Sequence, residues 1–139
     1  MDQMLIFFLA AVLIVGAVML TLILNSKKGS KKLNVERYRV KCLEIENQLR
    51  RDQPSSFQMT VLNADKLVDQ ALKGLGIKGK TMAERMKNSV SLYSDRNGIW
   101  TAHKLRNQIA HESDVNVTYE QARQAIASFK KALKDIGAI

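Results

Sequence analysis

The chain begins with an uninterrupted run of apolar residues. Met4 to Leu24 comprises 21 residues without a charged side chain, and all but two of them are strongly apolar or alanine. At about 1.5 Å per residue a helix of this length measures roughly 31 Å, close to the hydrocarbon thickness of a bilayer. Residues 1–24 are therefore predicted to form a transmembrane anchor. Because Asp2 stands where signal peptides carry basic residues, and because the run is long, we expect the anchor to be retained.

Beyond the anchor, apolar residues recur every three or four positions, which is the spacing of amphipathic helices. The pattern predicts four or five helices and no strand in this part. Since the predicted connections are short, neighbouring helices should run antiparallel, which indicates an all-α up-and-down bundle behind the anchor. We divide the chain into the anchor (1–24), a basic juxtamembrane connector with a first helix (25–53) and a helical bundle (54–139).

Residues with known capping preferences suggest where the helices begin and end. Pro54 should end the first helix, because proline disfavours helical geometry in the residue before it. Ser55 or Ser56 is expected to cap the next helix. The patterns T-x-x-E and T-x-x-Q that begin at Thr81 and Thr118 predict capping boxes. Gly137 is expected at the C-terminal end of the last helix.

The chain is basic, with a net charge of +9, and much of the excess follows the anchor directly. By the positive-inside rule, this distribution places the part after the anchor in the cytoplasm and the N-terminus outside. The same cluster is a candidate membrane-surface site, worth about 1 kcal/mol per basic residue on anionic lipid. Its members are Lys27, Lys28, Lys31 and Lys32. A basic cytoplasmic part is also compatible with nucleic acid.

Cysteine and histidine are scarce. Cys42 is the only cysteine, which excludes an intramolecular disulfide and suits a reducing compartment. With one cysteine and two histidines, no metal-ligand set is recognisable, and we expect neither a metal nor another cofactor. Cys42 itself is interpreted as a small apolar filler rather than as a reactive thiol.

The segment from Trp100 to Glu112 reads W-T-A-H-K-L-R-N-Q-I-A-H-E and contains both histidines of the chain. Residues 95–98 are expected to separate the helix that carries this motif from the preceding one. If the segment is helical, a polar group of five residues falls within an arc of about 140°, and an apolar group of three residues falls within about 60° on the opposite side. The polar group is His103, Arg106, Asn107, Ala110 and His111, and the apolar group is Ala102, Leu105 and Ile109.

Arg106 and His111 are the candidates for chemistry. An arginine fork can bind two phosphate oxygens, and an imidazole can accept or donate a proton near neutral pH, so the pair suits phosphodiester cleavage without a metal. Asn107 could orient either group, and His103 could act as a second acid or base.

A structural interpretation of the same residues stays open. Arg106 and Asn107 could pair with groups on a neighbouring helix, where Asp65 and Asp69 lie one turn apart. His111 could close its helix by interacting with the dipole. His103 could be a solvated or core-edge histidine.

The segment Leu105 to His111, L-R-N-Q-I-A-H, resembles the signature of HEPN domains, and the resemblance extends over roughly residues 55–139. The resemblance implies an all-helical homodimer in which the Arg and His of both subunits meet at a shared cleft. In active members it implies metal-independent RNA cleavage that leaves a 2′,3′-cyclic phosphate; many members are inactive. Carried over, Arg106 would bind phosphate, His111 would be the acid or base, and Asn107 would orient them. Ser113 stands where one toxin branch of the family has tyrosine.

The whole chain also resembles short bacterial membrane proteins with an anchor followed by a bundle, which implies the bacterial inner membrane. Two functional hypotheses follow. The first is a membrane-anchored, non-catalytic HEPN-like dimerisation or interaction module. The second is an endoribonuclease that uses Arg106 and His111 on cytoplasmic RNA. The expected partners are the lipid bilayer, a second copy of the chain and, for the second hypothesis, RNA; the sequence does not identify a protein partner.

Overall fold

The computed structural model describes residues 3–26 and 32–139. In these residues the protein forms six α-helices, one short 3-10 helix and no strand, which confirms the all-α prediction. The helices are α1 (Gln3–Ser26), α2 (Val35–Gln48), α3 (Ser55–Gly74), α4 (Met82–Asn88), α5 (Arg96–His111) and α6 (Tyr119–Asp135), and the 3-10 helix covers Val90–Leu92. The chain divides into two compact units, Met1–Ser30 and Lys31–Ile139.

The first unit contains α1. Its segment Gln3–Leu24 is long and apolar enough to cross a membrane, and none of it is buried inside the protein. The hydroxyl of Thr21 donates to the carbonyl of Val18, 2.8 Å away within the same helix. The hydroxyl of Thr21 therefore needs no partner from water.

The second unit is a bundle with α3 at its centre. Helix α3 packs against α2, α4, α5 and α6, and α5 also packs against α6. Its buried residues recur at helical spacing, from Phe57 and Val61 to Val68 and Leu72. The largest fully buried side chain is Phe129, which α6 contributes. The bundle thus has a single core, to which every helix after α1 except the short 3-10 turn contributes buried residues.

Helix α2 belongs to this unit. It buries Cys42 and Ile45, whereas Val40 and Leu43 on the same helix are exposed. The sequence pattern assigns this helix to the juxtamembrane segment 25–53. The compact unit begins earlier, at residue 31, because Cys42 and Ile45 are part of the same core as the buried residues of α3.

The predicted caps are confirmed in part. Thr118 and Gln121 form a complete capping box, and Gly137 takes the left-handed conformation expected after α6, with φ +73°. Thr81 accepts from the amide of Glu84, but the Glu84 carboxylate accepts from the amide of Lys80 instead of that of Thr81.

Two boundary predictions were wrong: the cap of α3 at Ser55 or Ser56, and the separator at residues 95–98. Pro54 already has helical angles, so the next residue lies inside α3, and Ser56 donates back to the carbonyl of Gln53 instead of capping the helix. Asp95 is itself the N-cap of α5 and accepts from the amide of Gly98, 2.8 Å away. Residues 96–98 are therefore the first turn of α5 and not a separator.

Candidate functional site

Three of the polar side chains that attracted attention meet where α3 packs on α5. Oδ1 of Asp65 lies 2.7 Å from Nδ1 of His103, and its Oδ2 lies 3.2 Å from Nε of Arg106. The side chains of Asp65 and His103 are only 5% and 7% exposed. A carboxylate removed from water needs a counter-charge and hydrogen bonds, and here two residues of α5 supply both.

His103 does not lie on a solvent-facing polar surface as the helical arc had suggested. The inner face of α5 carries Ile99, Ala102 and His103, all buried. Ile99 falls inside the arc assigned to polar residues, so the line along which α5 touches the core is rotated towards His103 and Arg106. The expectation of a wholly polar face was wrong because the apolar residue one turn earlier was not counted in it.

Arg106 makes one ion pair and one side-chain hydrogen bond within its own chain. Nε faces Asp65, and Nη1 donates to Oδ1 of Asn107 at 3.0 Å. About a third of the Arg106 side chain, 35%, remains exposed. The guanidinium is thus oriented by its neighbours, and its charge is balanced by a carboxylate of the same bundle.

His111 lies apart from this cluster. It is the last residue of α5, and both it and Ala110 are exposed. In the described part of the chain no hydrogen bond or ion pair joins its side chain to Arg106. Five residues of helix separate the two by about 140° around the axis and about 7.5 Å along it. One subunit therefore does not assemble Arg106 and His111 into a joint site.

Asp69, the second carboxylate expected near Arg106, pairs elsewhere. It lies 2.7 Å from Nε and from Nη2 of Arg85, and 2.8 Å from Nζ of Lys73. The Arg85 side chain is 7% exposed, and its Nη1 donates to the carbonyl of Gly79. The sequence pattern does not single out Arg85. The only signal was a basic residue on a short helix whose other inward positions are methionines.

A shallow cavity of about 410 Å³ adjoins the outer edge of His103. It is lined by Ala83, Trp100, Thr101, His103, Lys104 and Asn107. The ring of Trp100 packs edge-on against the imidazole, with 6.2 Å between the ring centres. An imidazole whose Nδ1 is held by a carboxylate has a defined tautomer and orientation. With so little of it exposed, this histidine is better placed to connect helices than to reach a substrate.

The other predicted positions are located as follows. Cys42 is a buried free thiol, and burial is the largest cause that raises its pKa. Lys32 is exposed, while Lys27, Lys28 and Lys31 lie outside the described residues. Within residues 3–26 and 32–139 there is no group of three or more His, Cys, Asp or Glu side chains that could hold a metal ion.

Comparison of the chain with protein-family models, with curated proteins and with solved structures found no match. The HEPN-like identity accordingly depends on the resemblance of Leu105 to His111 and on the helical fold around it, and it stands as a proposal.

Proposed function

We propose that this protein is a membrane-anchored, non-catalytic interaction module whose HEPN-like bundle self-associates. One observation carries the proposal: Arg106, the residue that the motif would use to bind phosphate, is instead paired with the buried carboxylate of Asp65. The same carboxylate accepts from His103, so the polar residues of the motif helix hold α5 on α3.

The energetics favour this structural role. Removing Arg106 would leave Asp65 buried without a full counter-charge, which costs several kcal/mol in typical buried pairs. A phosphate would have to compete with Asp65 for the guanidinium. An arginine whose charge is already balanced attracts a phosphodiester less strongly than a free one. His111, about 140° around the helix from Arg106, does not compensate for this within one subunit.

The setting supports a tethered module. Helix α1 is long and apolar enough to cross a membrane, and the basic residues after it indicate the cytoplasmic side of a bacterial inner membrane, with the N-terminus outside. We place self-association at the C-terminal turn of α5, where Ala110 and His111 are exposed. In this arrangement α1 concentrates the bundles in one plane and so favours contacts between them.

The test uses the full chain in detergent micelles or lipid nanodiscs. Arg106→Ala should lower the midpoint of unfolding, whereas Lys104→Ala, at an exposed position of the same helix, should not. His111→Ala should weaken self-association, measured by analytical ultracentrifugation, and leave the unfolding midpoint unchanged. An Arg106→Ala protein with unaltered stability and an unaltered oligomeric state would contradict the proposal.

The same preparations are used to test the ribonuclease hypothesis. Single-stranded RNA is incubated with the wild-type chain in the presence of a chelator, and the products are examined for 2′,3′-cyclic phosphate ends. We expect intact RNA at every protein concentration. Cleavage that disappears in both Arg106→Ala and His111→Ala would overturn the non-catalytic assignment.

A further inference from the structure

A groove runs between α2 and α6 on the surface of the bundle. Two adjoining depressions of about 580 and 330 Å³ form it, and they share Glu46, Lys130 and Lys134. Nζ of Lys130 lies 2.8 Å from a carboxylate oxygen of Glu46, so this pair connects the two walls. We call this feature the α2–α6 groove.

The inner lining of the groove is apolar. Cys42 and Ile126 are buried, and Leu49 and Ile139 are partly buried. Leu43, on the α2 wall, is 50% exposed. Helix α2 uses Cys42 and Ile45 against the core, which leaves Leu43 without a covering neighbour on the described surface. A concave apolar lining with an exposed leucine beside it can accept the apolar face of a helix.

The outer edges of the groove are basic. Five basic side chains and one acidic side chain line it. The basic ones are Arg39, Arg123, Lys130, Lys131 and Lys134, and the acidic one is Glu46. Arg39, Arg123 and Lys130 have ion-pair partners, whereas Lys131 and Lys134 have none among the described residues. Both of these lysines are exposed on α6.

We infer that the α2–α6 groove binds an acidic amphipathic helix of a partner protein; this rests on the proposed function, since it names the partner class of the interaction module. The apolar stripe of such a helix would cover Leu43 and the inner lining. Its carboxylates would then face Lys131 and Lys134, the two lysines that have no internal partner. Charge complementarity of this kind sets partner choice and accelerates association.

Other occupants fit less well. A second copy of the chain, whose net charge is +9, would bring like charge to this basic groove, and the self-association proposed above uses the C-terminal turn of α5 instead. Single-stranded nucleic acid binds through a basic groove combined with free aromatic faces on which its bases stack. The only aromatic ring in the groove, that of Tyr119, has the guanidinium of Arg51 4.3 Å from its centre and Phe57 against it edge-on. A planar lipid surface would reach the lysines but not the apolar lining between the helices.

The experiment measures binding of a labelled peptide to the full chain in zwitterionic phosphatidylcholine nanodiscs by fluorescence anisotropy. The probe is a helical peptide of about 18 residues, or five turns, with leucines on one face and glutamates on the other. One control peptide replaces every glutamate by lysine, and a second replaces every leucine by serine. We expect the acidic amphipathic peptide to bind at least about tenfold more tightly than either control.

Variants of the chain locate the site. Lys131→Glu combined with Lys134→Glu should weaken binding of the acidic peptide by roughly tenfold or more, and Leu43→Ser should weaken it severalfold. The matched control, Lys78→Glu combined with Lys87→Glu, makes the same charge change at exposed lysines away from the groove and should leave affinity within about twofold.

Three outcomes would overturn the inference: equal affinity for the three peptides, equal effects of the groove and control variants, or displacement of the peptide by poly-uridine or by anionic phosphatidylglycerol vesicles. The self-association assay on the same variants separates the two proposals. A wild-type chain that self-associates but does not bind the acidic peptide would refute the groove alone, whereas RNA cleavage or a wild-type chain that never self-associates would refute the proposed function.

Discussion

Asp65 and His103 are 38 residues apart in the chain, yet Oδ1 of one lies 2.7 Å from Nδ1 of the other in a buried setting. The contact joins α3 to α5. The second carboxylate oxygen of Asp65 faces Arg106, which lies one turn after His103 on α5. One acidic side chain is therefore held by two residues of the motif helix. This arrangement fixes the rotation of α5 about its axis, and with it the side on which His111 emerges.

Replacing this carboxylate should destabilise the bundle. In Asp65→Ala the partly buried Arg106 loses its counter-charge and His103 loses its hydrogen bond. We expect a loss of roughly 3 kcal/mol in the free energy of unfolding, at the low end for a broken buried pair because Arg106 keeps some contact with water. Urea unfolding of the full chain in detergent, followed by the fluorescence of Trp100, measures it.

Asp52→Ala is the matched control, since Asp52 is exposed and, among residues 3–26 and 32–139, pairs only with Arg50, two residues away. Surface ion pairs contribute from about 0 to 1 kcal/mol. The structural account of the Asp65 cluster fails if the two variants unfold at the same urea concentration.

Capping supplies a second prediction. Thr118 accepts from the amide of Gln121, 3.1 Å away, and its own amide donates to the Gln121 side chain at 2.9 Å. Thr118→Ala should therefore cost about 1 kcal/mol of unfolding free energy. Ser55→Ala should change it by less than about 0.5 kcal/mol, because α3 has no side-chain cap. A larger effect at Ser55 than at Thr118, in the same urea assay, would contradict the cap assignment.

The sequence was informative wherever one helix depends on its own residues. Thr118, Gln121 and Gly137 mark the ends of α6, and the apolar spacing between them identifies its buried face. It was less informative where a side chain depends on a distant helix. His103 and Arg85 are polar in the sequence and buried in the fold because α3 offers Asp65 and Asp69 to them. The periodicity of one helix does not indicate which side chains a neighbouring helix will contribute.

For the candidate site, too, the sequence was informative about features of one helix and less informative about contacts between helices. The motif pattern correctly drew attention to Arg106, and one of the two acids proposed as structural partners, Asp65, does pair with it. The pattern also placed His111 at the end of its helix, and it is the last residue of α5. The α2–α6 groove was unpredictable, because it arises from the distance between two helices rather than from a local run of residues.

Cys42 provides a prediction on pH. Burial, and secondarily the charge of Glu46, raise the pKa of its thiol above the ordinary value of 9.0, while Lys130 and Lys134 act in the opposite direction. Since the folded-state pKa is raised, this group's contribution to stability is fully present below pH 9 and is lost as the pH rises through the folded-state pKa. Urea unfolding at a series of pH values should therefore show a fall in stability above pH 9 that is shallower in Cys42→Ala.

Alkylation checks the same point independently. A buried, protonated thiol reacts slowly, so iodoacetamide at pH 8 should label the native chain at least about tenfold more slowly than the chain in urea. Equal rates for the native and unfolded chains would show that Cys42 is accessible and would remove the physical basis of the pH prediction.

The last prediction compares alanine substitutions at Gly79 and Gly76. It distinguishes the steric cost of an added Cβ from the cost of a positive φ. Its φ is +157°, and an added Cβ would lie 2.8 Å from the backbone nitrogen of Arg85, the residue that its carbonyl binds. Gly76 also has a positive φ, +78°, but a Cβ there meets nothing within 4 Å. Gly76→Ala should cost about 1 kcal/mol from backbone strain alone. Gly79→Ala should cost about 2 kcal/mol or more, because Arg85 must move and its pairing with Asp69 weakens. Urea unfolding midpoints of the two variants in the same detergent measure the difference, and a Gly79 variant as stable as the Gly76 variant would show that Arg85 is not held by this contact.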